Sequence, residues 1–126
     1  MNVALWVIAG FLAAAFLGTG ILKATQPKEK LAANERMGWT ENFSAGTIRT
    51  IGILEIAAAA GLILPGLTGI APILVPLAAT GLVLVMIGAA ITHGRRRELQ
   101  GVVTAMILLV LAAVVAWGRL GPYAFS

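Results

Sequence analysis

The sequence predicts an integral membrane protein of the all-α class, an up-down-up-down four-helix bundle in a single domain, residues 1–126. Two observations favour this class. The chain is 60% hydrophobic and only 11% charged, less than half of the quarter that is usual in soluble domains. Its apolar residues form four long runs, each near the ~20 residues that a helix needs to cross a bilayer. The predicted spans are about 3–22, 45–64, 70–92 and 101–117.

The first span carries no charge before Lys23. A cleaved signal peptide has a basic segment ahead of a shorter apolar core, so we interpret this span as a retained helix. The connector that follows, residues 23–44, is polar. Pro27 suits a first helical position and Gly38 suits the residue after a helix end, so residues 28–37 are compatible with a short helix in the membrane interface. An ordinary solvated connector fits equally well.

Caps and prolines set the expected limits of the second and third spans. Thr40 or Ser44 can cap the second helix, which we expect to stop at Pro65. In the third span Pro76 lies one turn inside the helix, where it would remove a backbone hydrogen bond and kink the outer end.

Basic residues orient the bundle. Of the nine lysines and arginines, only Arg119 lies outside the first and third connections and their helix ends. The positive-inside rule therefore predicts that both connections face the cytoplasm and that both termini lie outside. The net charge of +4 is explained in this way, with lipid headgroups as the counter-charge, and no nucleic-acid partner is predicted. The eight clustered cations are Lys23, Lys28, Lys30, Arg36, Arg49, Arg95, Arg96 and Arg97.

Several kinds of chemistry lack the residues that they need. The chain has no cysteine, which excludes disulfides, iron–sulfur ligation and thiol relays within it. With one histidine, no aspartate and scattered glutamates, no metal site is predicted. No nucleophile–base pair, phosphate loop or cofactor motif occurs, so the catalytic residues and the cofactor stay unidentified.

Glu55 is the most informative residue, because it lies near the middle of the second span. An ionised side chain there costs at least ~2.5–3.5 kcal/mol, and such residues are functional by default. Arg49 is six residues away, hence ~9 Å along the helix and about 120° around it. We therefore expect the partner of Glu55 on another helix, and Gly52 and Ala59 on its face indicate that this face packs inward. A neutral carboxyl that fastens two helices together is the alternative.

Three further residues join Glu55 on the predicted cytoplasmic side. Lys23 is typical of a topology signal whose ammonium extends to the headgroups, and Arg49 can extend in the same way. His93, beside the Arg95–Arg97 run, suits a helix cap or a headgroup contact better than a catalytic base. The predicted ligand-binding set is Glu55, Arg49, Lys23 and His93.

These residues also carry a resemblance. A Gly-x-x-Lys ending at Lys23, an Arg49-x-x-Gly52-x-x-Glu55 run that continues into Gly61-Leu62-x-x-Pro65, and Thr92-His93-x-x-Arg96 resemble the DoxX-like family. The resemblance implies a small bacterial plasma-membrane protein with four helices. Some members are subunits of membrane oxidoreductases, including a thiosulfate:quinone enzyme, and others are linked to oxidative-stress systems or methylamine utilisation. The four motif residues carry over without an assigned role.

Three functions follow as hypotheses. The first is a small subunit or binding protein that holds a lipophilic ligand, a quinone or a lipid, around Glu55, or docks on a redox partner protein. The second is an autonomous enzyme in which Glu55 or His93 moves protons on an apolar substrate. The third is an assembly factor recognised through its basic cytoplasmic face.

Overall fold

The computed structural model describes residues 2–27, 29–30 and 43–121. Its helices have 22 or 24 residues, hence lengths of ~33–36 Å against a hydrocarbon core of ~30 Å. All four are long and apolar enough to cross a membrane, which confirms the predicted fold class. They are α1 (Asn2–Thr25), α2 (Ala45–Thr68), α3 (Leu74–Arg95) and α4 (Leu99–Leu120).

Each helix packs antiparallel to the next, and α1 also packs on α4, which closes the bundle. The α1–α2 and α3–α4 contacts are much more extensive than the other two. We call the end that carries Lys23, Arg49 and Arg95 the basic end, and the end that carries Asn2 and Arg119 the terminal end. The described parts of both basic connections therefore lie at one end of the bundle, an arrangement that the topology prediction requires.

The core forms from residues spaced three or four apart along each helix, so that one stripe per helix faces inward. Large apolar side chains cover the outside, where lipid is their solvent. On α2 the buried stripe includes Gly52, Glu55 and Ala59, so the carboxylate occupies a position that is otherwise apolar or small. The central cluster of buried side chains is Leu12, Phe16, Leu62, Val75, Ala79, Leu82, Met86, Ala105, Ala112, Val115 and Ala116.

The ends of α2 correct one expectation and support another. Ser44 caps the helix, because its hydroxyl accepts the Thr47 N–H at 3.1 Å. The helix does not stop at Pro65 but continues to Thr68. It ends at Gly69, whose left-handed φ of 73° favours glycine and whose N–H donates to the Pro65 carbonyl. A proline is tolerated within a membrane-spanning helix, because neighbouring helices and side chains can bond the backbone groups that it leaves free. Pro65 therefore does not end the helix.

The start of α3 explains why Pro76 does not interrupt it. The helix begins at Leu74, not at residue 70, so Pro76 is its third residue. The first four N–H groups of a helix have no intrahelical acceptor, so the missing N–H of Pro76 removes no bond. The loss of a backbone hydrogen bond, which was the reason to expect a kink at Pro76, therefore does not occur.

The predicted interfacial helix over residues 28–37 lies almost wholly outside the described residues. Within them, the Lys30 N–H donates to the carbonyl of Pro27 at 3.1 Å. The choice between an interfacial helix and a solvated connector stays a prediction.

Candidate functional site

The site centres on a buried ion pair between α1 and α2. Glu55 is 1% exposed, and its Oε1 accepts a hydrogen bond from Lys23 Nζ at 2.7 Å. Thr19, one turn deeper on α1, donates its hydroxyl to the carbonyl of Ala15 at 3.2 Å. The partner of Glu55 therefore lies on another helix, as its spacing from Arg49 predicted. Lys23 does not extend to the headgroups: its side chain is only 10% exposed, because a carboxylate within reach holds the ammonium in the bundle.

Two glycines bring these helices close enough for the pair to form. A Cβ added to Gly20 would lie 2.8 Å from the Gly52 carbonyl oxygen, and one added to Gly52 would lie 2.7 Å from the Ala24 nitrogen. The two backbones are thus nearly in contact, as small residues allow in membrane helices. Lys23 follows Gly20 by three residues and Glu55 follows Gly52 by three. One packing contact and the ion pair beside it therefore explain the three-residue spacings of Gly20 with Lys23 and of Gly52 with Glu55.

A pocket of about 250 Å³ opens at the basic end between α1 and α2. Lys23 lines it, so the ammonium that binds Glu55 also borders this space. Arg49 lines it as well, is exposed, and forms no ion pair with any described residue. The structure thus brings Lys23, Arg49 and Glu55 together. The lining residues of the pocket are Lys23, Gln26, Pro27, Glu29, Ala45, Ile48 and Arg49.

His93 belongs to a different cluster, at the turn between α3 and α4. Its Nδ1 lies 2.8 Å from Glu98 Oε1, and Arg96 Nε lies 3.3 Å from Glu98 Oε2. The hydrogen bond with His93 is the main cause of a lowered pKa at Glu98. The imidazole packs so closely on Gly101 that a Cβ there would overlap it. His93 is not among the described residues that line the α1–α2 pocket.

The described residues do not form a cluster of metal ligands. No three His, Cys, Asp or Glu side chains among them converge as metal ligands would.

The sequence interpretation missed a buried arginine at the terminal end. Arg119 is 4% exposed, donates to Asn2 Oδ1 at 2.6 Å and lies 5.7 Å from the ring centroid of Trp6. A single arginine at the end of an apolar helix is typical of a headgroup contact. The available signal was the pair Asn2 and Trp6, which lie four residues apart and so share a face at the same end of the bundle.

Comparison with known families supports the resemblance seen in the motif. The sequence model of the DoxX-like family matches residues 7–115, most of the chain and all of the motif. The chain belongs to the DoxX-like family. No curated protein and no solved structure is significantly similar to it. In this DoxX-like protein, Gly20, Lys23, Gly52 and Glu55 of the motif form the α1–α2 contact described above.

Proposed function

We propose that this DoxX-like protein is a small membrane subunit or binding protein that holds the polar head of a lipophilic ligand, a quinone or a lipid. The observation that supports this most directly is the shared position of Lys23, which binds buried Glu55 and also lines the pocket. In this view Glu55 positions Lys23, and Lys23 and Arg49 contact the ligand.

The donors at the pocket suit such a head. An ammonium has three donors, so Lys23 can serve the Glu55 carboxylate and a ligand oxygen together, and the guanidinium of Arg49 adds five more. Quinone carbonyls, lipid phosphates and lipid esters all present acceptors to these groups. At about 250 Å³ the pocket is smaller than the ~300–1,000 Å³ that sites for whole small molecules enclose. It therefore suits a head whose tail stays in the bilayer.

The cellular role rests on the family. Because members are linked to membrane oxidoreductases and oxidative-stress systems, we place this protein beside a redox partner in the bacterial plasma membrane. There it would retain or present the lipophilic ligand.

The two alternative functions would use other features of the chain. An enzyme that transfers protons would use Glu55 or His93, although Glu55 is already bonded to Lys23 and His93 to Glu98. An assembly factor would use the α3–α4 turn, where Arg95 and Arg97 are exposed.

The test is purification in a gentle detergent, followed by mass spectrometry of whatever accompanies the protein. We expect a quinone or a lipid in stoichiometric amount. A protein partner with no small molecule would instead support the assembly factor.

A double variant, Lys23→Met with Glu55→Leu, tests whether the ligand binds at Lys23. Replacing both members of a buried ion pair with apolar residues is often neutral for stability, so the fold should persist. Loss of the ligand from this folded variant is the expected result. Arg95→Gln serves as a control for removing a cation at the same end. A folded double variant that retains the ligand as the parent does would rule out a site on Lys23.

A further inference from the structure

The pocket carries charges of both signs at its rim. Arg49 and Glu29 both line it and both are exposed. They form no ion pair with one another, nor does either pair with another described residue. Opposite charges at one pocket that do not neutralise each other leave separate positions for an anion and a cation. Gln26 adds an amide with both donors and an acceptor.

We propose that the pocket binds a zwitterionic head in which a phosphate is linked to a primary ammonium, as in an aminophospholipid. The phosphate lies against Arg49 and Lys23, and the ammonium lies against Glu29. This inference rests on the proposed function and deepens it by naming the class of ligand.

Charge matching favours this head over the alternatives. A quinone offers acceptors to the two cations but leaves the Glu29 carboxylate facing a neutral ring. An anionic head without an amine places a negative charge beside the same carboxylate. Only a head with both charges contacts all three charged side chains favourably. A primary ammonium, unlike the quaternary ammonium of a choline head, also has N–H donors for a charge-assisted hydrogen bond to Glu29.

The position of the pocket favours a lipid over a soluble molecule with the same head. It lies where α1 and α2 reach the basic end, and its walls include Pro27, Ala45 and Ile48. Leu22, next to Lys23, and Ile53, one turn from Arg49, are exposed on the lipid-facing surface. Acyl chains can pack on such side chains below a bound head. Basic pockets between membrane helices bind lipid headgroups in the same way.

The test compares headgroups with the intact protein. Purified protein is reconstituted in nanodiscs of phosphatidylcholine that contain either phosphatidylethanolamine or phosphatidylglycerol, and bound lipid is counted by native mass spectrometry. We expect the parent to retain phosphatidylethanolamine in preference to phosphatidylglycerol. Soluble phosphoethanolamine should fail to displace it at millimolar concentration. Displacement by the soluble compound would show that the head alone is the ligand and would overturn the assignment to a lipid.

Two variants test the contact with the ammonium and the contact with the phosphate separately. Glu29→Gln should reduce the preference for phosphatidylethanolamine about fivefold, the equivalent of a partly exposed ion pair, and leave retention of phosphatidylglycerol unchanged or higher. Arg49→Gln should weaken retention of both lipids. Glu29 and Arg49 are exposed, so neither change threatens the fold, and Glu98→Gln and Arg95→Gln are the matched controls.

The outcomes distinguish this inference from the proposed function. If Glu29→Gln leaves the preference unchanged while the Lys23/Glu55 double variant loses its ligand, the zwitterionic head is wrong and the site on Lys23 stands. If the parent retains neither a lipid nor a quinone, both proposals are wrong.

Discussion

The two helix pairs at the basic end each hold an acid–base pair, but at different depths. In α1–α2 the carboxylate of Glu55 is 1% exposed and its partner Lys23 is 32 residues away along the chain. In the α3–α4 turn, Glu98 is 30% exposed and its partner His93 is five residues away. The first pair forms only when two helices pack. The second pair forms between residues of the short turn that joins α3 to α4.

This difference supports the proposed site between α1 and α2. A buried ion pair brings little net stability over apolar packing, because the attraction between the charges has to offset the loss of hydration. The pair lies beside the pocket that Lys23 lines, which is consistent with a role in binding. The His93–Glu98 pair is shallow and local, and it stabilises the turn that joins α3 to α4.

The comparison depends on both pairs lying on the same side of the membrane. A test of this topology has the largest expected effect, because a reporter fusion gives an all-or-none signal. A reporter that is active only outside the cytoplasm should be active when fused after Ser126, and one placed between Arg97 and Glu98 should be silent. A fusion after Ser126 that is active only in the cytoplasm would reverse the orientation.

Breaking the deep pair should have the largest effect on stability. Glu55→Gln leaves the buried ammonium of Lys23 without its carboxylate, so we expect the free energy of unfolding in detergent to fall by about 3–5 kcal/mol. The Lys23→Met, Glu55→Leu double variant should recover most of this loss. An unchanged melting temperature in Glu55→Gln would mean that the carboxyl is neutral and acts as a hydrogen-bond donor.

The close approach of α1 and α2 can be tested separately from the charges. A methyl group at Gly52 would meet backbone atoms of Gly20 and Ala24, which cannot rotate away as a side chain can. Gly52→Ala should therefore destabilise the protein by about 1–3 kcal/mol and weaken ligand retention, since Lys23 would move away from Glu55. Gly88→Ala is the control, because a Cβ there has no atom within 4 Å. Equal melting temperatures for the two variants would contradict the packing described.

The shallow pair should show the smallest effect, and only in acid. The pKa of Glu98 is lowered in the folded state, so its contribution to stability is present above the unfolded pKa of ~4.3 and is lost as the pH falls through the folded value. Unfolding measured from pH 7 to pH 3 should show a loss of at most about 1 kcal/mol that is absent in Glu98→Gln. A loss of the same size in the variant would assign the acid sensitivity to another carboxyl.

Sequence alone determined the class of the fold and the residue of greatest interest. Four apolar segments of membrane length dictate four helices, because backbone polar groups in lipid have to be satisfied within the segment. The depth of Glu55 in its segment followed from counting residues, and its spacing from Arg49 required a partner on another helix. The helix limits at Pro65 and Pro76 were misjudged, because the effect of a proline depends on its position in the helix and on its neighbours.

Tertiary structure decided which charges meet. Lys23, Arg49 and His93 all lie near the same end of the bundle, and nothing in their spacing states which of them approaches Glu55. The contact of Gly20 with Gly52 selects Lys23, because it sets the separation and register of α1 and α2. The burial of Arg119 depends likewise on α4 packing beside Asn2 and Trp6 of α1. Hydropathy fixes the number of helices, whereas contacts between backbones fix the partners of the buried charges.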